Sequence, residues 1–262
     1  MSEYQLHLDA DARHRNGTAQ AVIDDAGRYT EEDVGQVVDL SRVPWRGQTL
    51  KAVVAVVLAV WLVVVVLLGA GGAFISTPGT PPFPIALGVT VPLLVFLGAL
   101  WVSAAFRRFV TGGDVLLVTA IQGWRWAGFS FVGLYAYGVL PGLFAWPAGL
   151  GDMAVGLTAP WIALALARRP SFVASRRFVI WNLLGILDLA VAVGVAGLVQ
   201  ARASGAVGEV TVAPMAQLPL LLVPAYLVPL FIMLHLTALL QARRVARAER
   251  REEAGPITSL RA

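Results

Sequence analysis

Six apolar runs, each close to the length needed to cross a bilayer, constrain this sequence more than any other feature. A transmembrane helix needs about 20 mainly apolar residues, and these runs lack the alternation typical of membrane barrel strands. They occupy residues 50–68, 85–106, 115–137, 147–167, 178–198 and 218–240. Only 14% of the residues are charged, against about 25% in soluble domains. The sequence therefore predicts an all-α polytopic membrane protein with six transmembrane helices.

The polar segments divide the chain into three parts. Residues 1–48 form a polar, acidic N-terminal segment, residues 49–242 the six-helix bundle, and residues 243–262 a basic tail. In the first part, alternation around Asn16-Gly17 predicts a small β-hairpin, and Thr30 with Asp33 predicts the capped start of a short helix. We expect this part to bind any protein partner. The tail either contacts anionic lipid headgroups or serves only as a stop-transfer flank.

The placement of the arginines predicts the orientation of the bundle. Arg107 and Arg108 follow the second run, four arginines lie between the fourth and fifth runs, and Arg243, Arg244 and Arg247 follow the sixth. The opposite loops carry almost no charge apart from Arg202 and Glu209. Because positively charged loops stay in the cytoplasm, we expect a multi-pass protein of the cell membrane or cell inner membrane with both termini cytoplasmic. The net charge of +4 then reflects topology, and no nucleic-acid partner is expected.

Residues that the sequence lacks exclude several kinds of site. There is no cysteine, so disulfides, thiolate zinc sites and iron–sulfur clusters cannot form. Lys51, at the foot of the first run, is the only lysine, which excludes a Schiff base in the core. His7, His14 and His235 are the only histidines, so an intramembrane bis-histidine haem or a histidine-rich metal centre cannot be built within one chain. We expect no cofactor and no metal.

Polar residues inside the apolar runs form the candidate site. A charge in hydrocarbon costs about 2.5–3.5 kcal/mol on insertion scales, so such residues are rare and are usually paired or line a cavity. Arg125 and Asp188 are both predicted roughly 15 Å from the cytoplasmic side, at a rise of ~1.5 Å per residue, and therefore as an ion pair. The predicted cluster lies in the inner half of the membrane and consists of Gln122, Arg125, Asn182, Asp188 and His235.

Two positions have a second interpretation. Trp124 and Trp126 flank Arg125, and tryptophan beside arginine is typical of the membrane interface. The third helix would then run over residues 126–146 and leave Arg125 at the cytoplasmic surface. Asp152 follows the sequence PAGLG. It is either the N-cap of a helix that begins there or a polar group at the mouth of an outward-facing cavity.

Three functions are compatible with this set of residues. A transporter, channel or polar-ligand-binding bundle would use the buried cluster, with proton exchange between His235 and Asp188. A non-catalytic membrane scaffold or assembly subunit would use the same residues only for helix packing beside Gly185. An intramembrane lipid-modifying enzyme would need Asp152, Asp188 and His235 to hold a metal, yet no catalytic motif is present. The first is expected, and an enzyme is the less expected outcome.

Overall fold

Helices account for the regular structure of the computed structural model, which describes residues 45–258, with side chains over residues 48–251. Between residues 45 and 258 there are eight α-helices and no strand: α1 Trp45–Ala70, α2 Phe83–Val102, α3 Ala104–Gly112, α4 Val115–Ile121, α5 Phe129–Ala136, α6 Gly142–Arg168, α7 Arg176–Arg202 and α8 Val228–Thr258. The predicted N-terminal hairpin, short helix and partner-binding segment lie outside the described residues, as do residues 259–262 of the tail.

Six helical segments of the described chain are long and apolar enough to cross a membrane, which confirms the predicted number of spans. They are Gln48–Ala70, Phe83–Val102, Val115–Ala136, Gly142–Arg168, Arg176–Arg202 and Val223–Arg251. Helices α1, α2, α6 and α7 each supply one span. The third span consists of α4 and α5 joined by a 3-10 segment, Gln122–Gly128, and the sixth consists of a π-helical turn, Val223–Leu227, followed by α8.

Most span boundaries differ from the prediction: the sixth span covers Val223–Arg251 instead of residues 218–240, and two other differences have a local cause. The fourth span begins at Gly142 rather than at residue 147, with Pro147 and Pro160 both inside α6. Transmembrane helices tolerate proline because neighbouring groups satisfy the freed backbone atoms. The second span ends at Val102 because Ser103 is extended and caps α3, where its side chain accepts a 3.1 Å hydrogen bond from the Phe106 N–H.

The sixth span has the least regular start. A 3-10 turn at Ala213–Ala216 precedes the π-helical turn Val223–Leu227. Pro224 and Pro229 lie in this region, and proline cannot donate to the helical ladder, which favours such a shift in hydrogen bonding. Beyond the apolar run, α8 continues to Thr258, so the basic tail begins as a helix.

Helix α6 is central in the bundle. It packs against the 3-10 segment, α5 and α7, while α8 packs against α7, α4 and α2. The inward face of α6 is built largely from alanine and glycine, including Ala145, Ala148, Gly149, Gly156 and Ala159. Small residues allow close approach of transmembrane helices. This close approach brings the polar residues of three neighbouring spans within hydrogen-bonding distance.

Helix α1 lies at the periphery. Its Val65 packs against Leu221 and Ala225 near the start of the sixth span, and the hydroxyl of Tyr226 donates a 3.3 Å hydrogen bond to the carbonyl of Leu58. Most other α1 side chains are exposed and apolar, as expected for a helix surrounded by lipid. The polar candidate site is therefore formed by the other spans.

Candidate functional site

Arg125 faces the interior of the bundle because the third span changes to 3-10 geometry at its middle. A 3-10 helix has three residues per turn, so residues three apart share a face. Only 2% of Arg125 is exposed, whereas Trp124 and Trp126 are 75% and 58% exposed. The alternative third span over residues 126–146 is therefore wrong. The buried residues of the 3-10 segment are Gln122, Arg125 and Gly128.

The guanidinium of Arg125 binds two carboxylates on two other helices. Its Nε donates to Oδ1 of Asp152 on α6 at 2.7 Å, and its Nη2 donates to Oδ2 of Asp188 on α7. Nη1 donates to the carbonyl of Gly185 at 3.3 Å. The structure thus places Arg125 and Asp188 together, as the sequence predicted, and adds Asp152 as a second partner. Charge-assisted hydrogen bonds of this kind offset the desolvation of a buried arginine.

A chain of hydrogen bonds leads from Arg125 through His235 to Asn182. Nη1 of Arg125 lies 3.1 Å from Nε2 of His235, and Nδ1 of His235 lies 2.9 Å from Oδ1 of Asn182. Because a guanidinium only donates, Nε2 accepts and Nδ1–H is the donor. Asn182 in turn donates from Nδ2 to the carbonyl of Phe178 at 2.9 Å. His235 is therefore a neutral imidazole that contacts Arg125 and Asn182 rather than Asp188.

Gln122 lies beside this network without joining it. Its Nε2 donates to the carbonyl of Phe231 on α8 at 3.4 Å, and its buried Oε1 has no hydrogen-bond partner among the described residues. The Phe231 ring also lies 5.9 Å from Cζ of Arg125, within the range of a cation–π contact. We use the name Arg125 cluster for the five residues that are linked by hydrogen bonds: Arg125, Asp152, Asn182, Asp188 and His235.

Glycines on neighbouring helices make room for the Arg125 cluster. A Cβ added at Gly128 would overlap Asp152, one at Gly151 would overlap the carboxylate of Asp188, and one at Gly185 would overlap the imidazole of His235. At Gly156 a Cβ would overlap the backbone of Arg125 and Trp126. The predicted role of Gly185 in close packing is therefore observed. This role of Gly128, Gly151 and Gly156 was not predicted from the sequence. The closely spaced glycines of GLGDMAVG, which include Gly151 and Gly156, are typical of close helix packing.

Asp152 is not an N-cap, and it does not lie at the end of the fourth span, where a cavity mouth was predicted. It lies inside α6, because that helix begins at Gly142, ten residues earlier. At a rise of ~1.5 Å per residue, this places Asp152 roughly 15 Å from the start of the helix. The correction moves its carboxylate from the outer end of the fourth span to the middle of the bundle, where it meets Arg125.

The same carboxylate lines an internal cavity of about 180 Å³. Ser76 and Val212 line the end of the cavity near the loops that follow α1 and α7, whereas Asp152 and Leu189 line its deep end. The walls between them are mainly aliphatic and include Ala148, Ala192, Val193 and Val223. The side chains of Asp152 and Asp188 remain 16% and 15% exposed, whereas that of Arg125 is fully enclosed. Of the charged groups in the Arg125 cluster, the carboxylate of Asp152 therefore lines the cavity, and the guanidinium of Arg125 does not.

The cluster lies near the middle of its helices. Asp188 is twelve residues from the first residue of α7, Arg176, and fourteen from the last, Arg202. At a rise of ~1.5 Å per residue these separations are roughly 18 and 21 Å. Across the described residues, no three His, Cys, Asp or Glu side chains are grouped in a way that would hold a metal ion. Nε2 of His235, the ring nitrogen nearest Arg125, accepts a hydrogen bond from its guanidinium.

Comparison with known proteins gives one match. A family model described as Domain of unknown function (DUF8737) matches residues 82–243, which include spans two to five, most of span six and every member of the Arg125 cluster. No curated protein and no solved structure matches the chain significantly. Because the matched region covers more than half of the chain, the chain belongs to the DUF8737 family.

Proposed function

We propose that this member of the family is a multi-pass membrane protein that binds a polar or charged ligand at the Arg125 cluster, as a transporter does. The observation that carries the proposal is the double role of Asp152, which binds Arg125 at 2.7 Å and lines the cavity. Ionisable residues inside a membrane commonly face a cavity and mark the path of a substrate or ion. A cavity that ends on such a residue has the form of a binding site.

The partial exposure of the carboxylates supports a binding role over a purely structural one. In a scaffold, buried charges need to be paired, because every uncompensated charge in a low-dielectric interior is costly, but they need no cavity beside them. Here Asp152 and Asp188 are each about one-sixth exposed while Arg125 is fully enclosed. Arg125 thus fixes the position of a carboxylate, that of Asp152, which a ligand in the cavity can reach.

Irregular backbone beside the cavity supports a transporter in particular. The π-helical turn Val223–Leu227 contributes Val223 and Pro224 to the cavity wall, and the third span is interrupted by the 3-10 segment that carries Arg125. Interrupted helices near the middle of a membrane are common at substrate sites of transporters. π-Helical turns are likewise frequent at functional sites.

Cysteine labelling tests whether the cavity is open to ligands. The native chain has no cysteine, so a single introduced thiol gives a signal without background. Ala192 lines the cavity, whereas Ala190, two residues away on α7, is exposed on the outer surface of the helix. We expect Ala192→Cys to react with a small polar methanethiosulfonate at least roughly tenfold faster than Ala190→Cys, because the thiolate forms only in contact with water.

Both variants are labelled in lipid nanodiscs. Each labelling rate is divided by the number of thiols per chain, which is measured in denatured protein, before the rates are compared. Slow, equal labelling at the two positions would contradict the proposed function, since it would mean that the cavity is closed to polar molecules. Ala238→Cys is the control for a packed interior position, because Ala238 is 1% exposed and lies in a separate apolar cluster.

The orientation with both termini in the cytoplasm is part of the same proposal. Arginine-rich segments lie at one end of the spans, including the exposed Arg243 and Arg247 of α8, and we propose that this basic region contacts anionic lipid headgroups. Ser171 lies at that end and Val207 at the other, and both are exposed. In intact cells, a membrane-impermeant thiol reagent is expected to label Val207→Cys at once and Ser171→Cys only after permeabilisation. The reverse pattern would invert the topology.

A further inference from the structure

We propose that the ligand of the cavity is an amphipathic cation: a protonated amine or quaternary ammonium group attached to a compact apolar body. This inference rests on the proposed function, since it requires that the cavity is a binding site. It is drawn from three features of the cavity: the charge of its deep end, the free oxygen atoms there, and the chemistry and size of its walls.

The charge of the Arg125 cluster is unbalanced. One guanidinium faces two carboxylates, Asp152 and Asp188, and His235 is neutral because its Nε2 accepts a hydrogen bond. With both carboxylates ionised, the cluster carries one excess negative charge in the middle of the bundle. A cation bound beside it would neutralise that charge, whereas an anion would add to it.

Each carboxylate also has one oxygen that no described residue occupies. Arg125 binds Oδ1 of Asp152 and Oδ2 of Asp188, and no hydrogen bond within the described part of the chain involves the second oxygen of either residue. An ionised carboxylate accepts hydrogen bonds and donates none. The deep end of the cavity therefore suits a group that donates hydrogen bonds and carries positive charge.

The walls of the cavity determine the polarity and size of the part of the ligand that lies beside the cationic group. They are mainly aliphatic side chains, and the volume is about 180 Å³. An apolar protein cavity of about 150 Å³ is large enough to hold benzene. The cavity thus accommodates a single ring or a short branched chain beside the cationic group, while a polar body would lose its hydration without gaining hydrogen bonds.

One side of the cavity lies between helices that do not pack closely together. Helix α2 packs against α8, the π-helical turn and α3 rather than against α7. The wall here includes Ala86 of α2 and Gly197 of α7, and Ala86 is exposed. An apolar body that is longer than the cavity extends between these helices toward the lipid.

Three compounds of similar shape test this proposal: 2-phenylethylammonium, the neutral 2-phenylethanol and the anion phenylacetate. Binding to the full-length protein in nanodiscs is measured by isothermal titration calorimetry. We expect the cation to bind at least roughly tenfold more tightly than the alcohol, because of its attraction to the excess charge, and the anion to bind more weakly than either. Equal affinities, a preference for the anion, or no detectable binding of the cation would overturn the proposal.

Asp152→Asn removes the excess charge and is expected to abolish the preference for the cation. The matched control is Asp114→Asn, because Asp114 is an exposed N-cap residue that lies outside the cavity and asparagine preserves the cap. Loss of the preference in Asp114→Asn, or its persistence in Asp152→Asn, would count against the assignment.

A second measurement leaves the cluster intact and does not depend on the stability of Asp152→Asn. In the Ala192→Cys protein, 2-phenylethylammonium is expected to slow thiol labelling, and 2-phenylethanol to do so only at roughly tenfold higher concentration. Labelling that neither compound slows would overturn the inference while leaving the proposed function in place. If the thiol of Ala192→Cys is not labelled at all, both the proposed function and this inference about the ligand are contradicted.

Discussion

Replacing Arg125 with methionine is expected to lower the free energy of unfolding by about 3–5 kcal/mol, the usual cost of removing one partner from a buried ion pair. The variant leaves two carboxylates, Asp152 and Asp188, beside each other without their shared cation. It also frees the acceptor nitrogen Nε2 of His235. Unfolding of the purified protein by dodecyl sulfate in mixed micelles measures the loss.

The effect should be much smaller when a single carboxylate is neutralised. In Asp188→Asn, Arg125 still binds Asp152 at 2.7 Å, so we expect less than about half of the loss seen for Arg125→Met. Arg202→Met is the control for removing an exposed arginine and should change stability by no more than about 0.5 kcal/mol. Equal losses for Arg125→Met and Arg202→Met would mean that Arg125 is not held in the bundle by charge.

Gly156→Ala is expected to cost about 1–3 kcal/mol or more, in the range of overpacked core substitutions. The added Cβ would overlap the backbone of Arg125 and Trp126. A side chain can rotate away from a new methyl group, but a backbone segment must shift as a whole. The 3-10 segment would then move away from α6, and the hydrogen bond between Arg125 and Asp152 would lengthen.

Gly194→Ala is the matched control, since both glycines lie within transmembrane helices and a Cβ at Gly194 would meet no atom within 4 Å. Alanine favours a helix over glycine by up to about 1 kcal/mol, so this control should be neutral or stabilised. If thermal melts in detergent show the two variants to be equally stable, α6 does not pack against the 3-10 segment at Gly156.

The spans and the main ion pair could be predicted because they depend on local properties of the sequence. The length of each apolar run determines whether it can cross a membrane. Equal depth along neighbouring helices predicted that Arg125 lies near Asp188, and one hydrogen bond joins them in the structure. Both inferences use only distances along a helix axis, which follow from the number of residues.

The place of Asp152 could not be predicted in the same way. The apolar run predicted for the fourth span begins at Pro147, whereas the helix begins at Gly142. Whether a proline ends a membrane helix depends on which neighbours satisfy the freed carbonyl, and that is a property of the packed bundle. The shift of the start by five residues, equivalent to roughly 8 Å, was enough to separate Asp152 from Arg125.

The 3-10 segment left a signal that was overlooked. Polar or small residues recur at every third position in this part of the sequence, at Thr119, Gln122, Arg125 and Gly128, and the structure buries all four. A period of three matches 3-10 geometry rather than the 3.6 residues per turn of an α-helix. No pattern in the sequence predicts the cavity. Its existence depends on the distance between α2 and α7, which is determined by the packing of the whole bundle.

The candidate site depends above all on coupling between Arg125 and its two carboxylates, and a double-mutant cycle measures that coupling directly. One arm is Arg125→Met, the other is Asp152→Asn with Asp188→Asn, and the third protein carries all three substitutions. We predict that the combined variant loses less stability than the sum of the two arms by at least about 1.5 kcal/mol, because it leaves no unpaired charge. Additive losses would contradict this, since they would mean that Arg125 and the carboxylates contribute to the bundle independently.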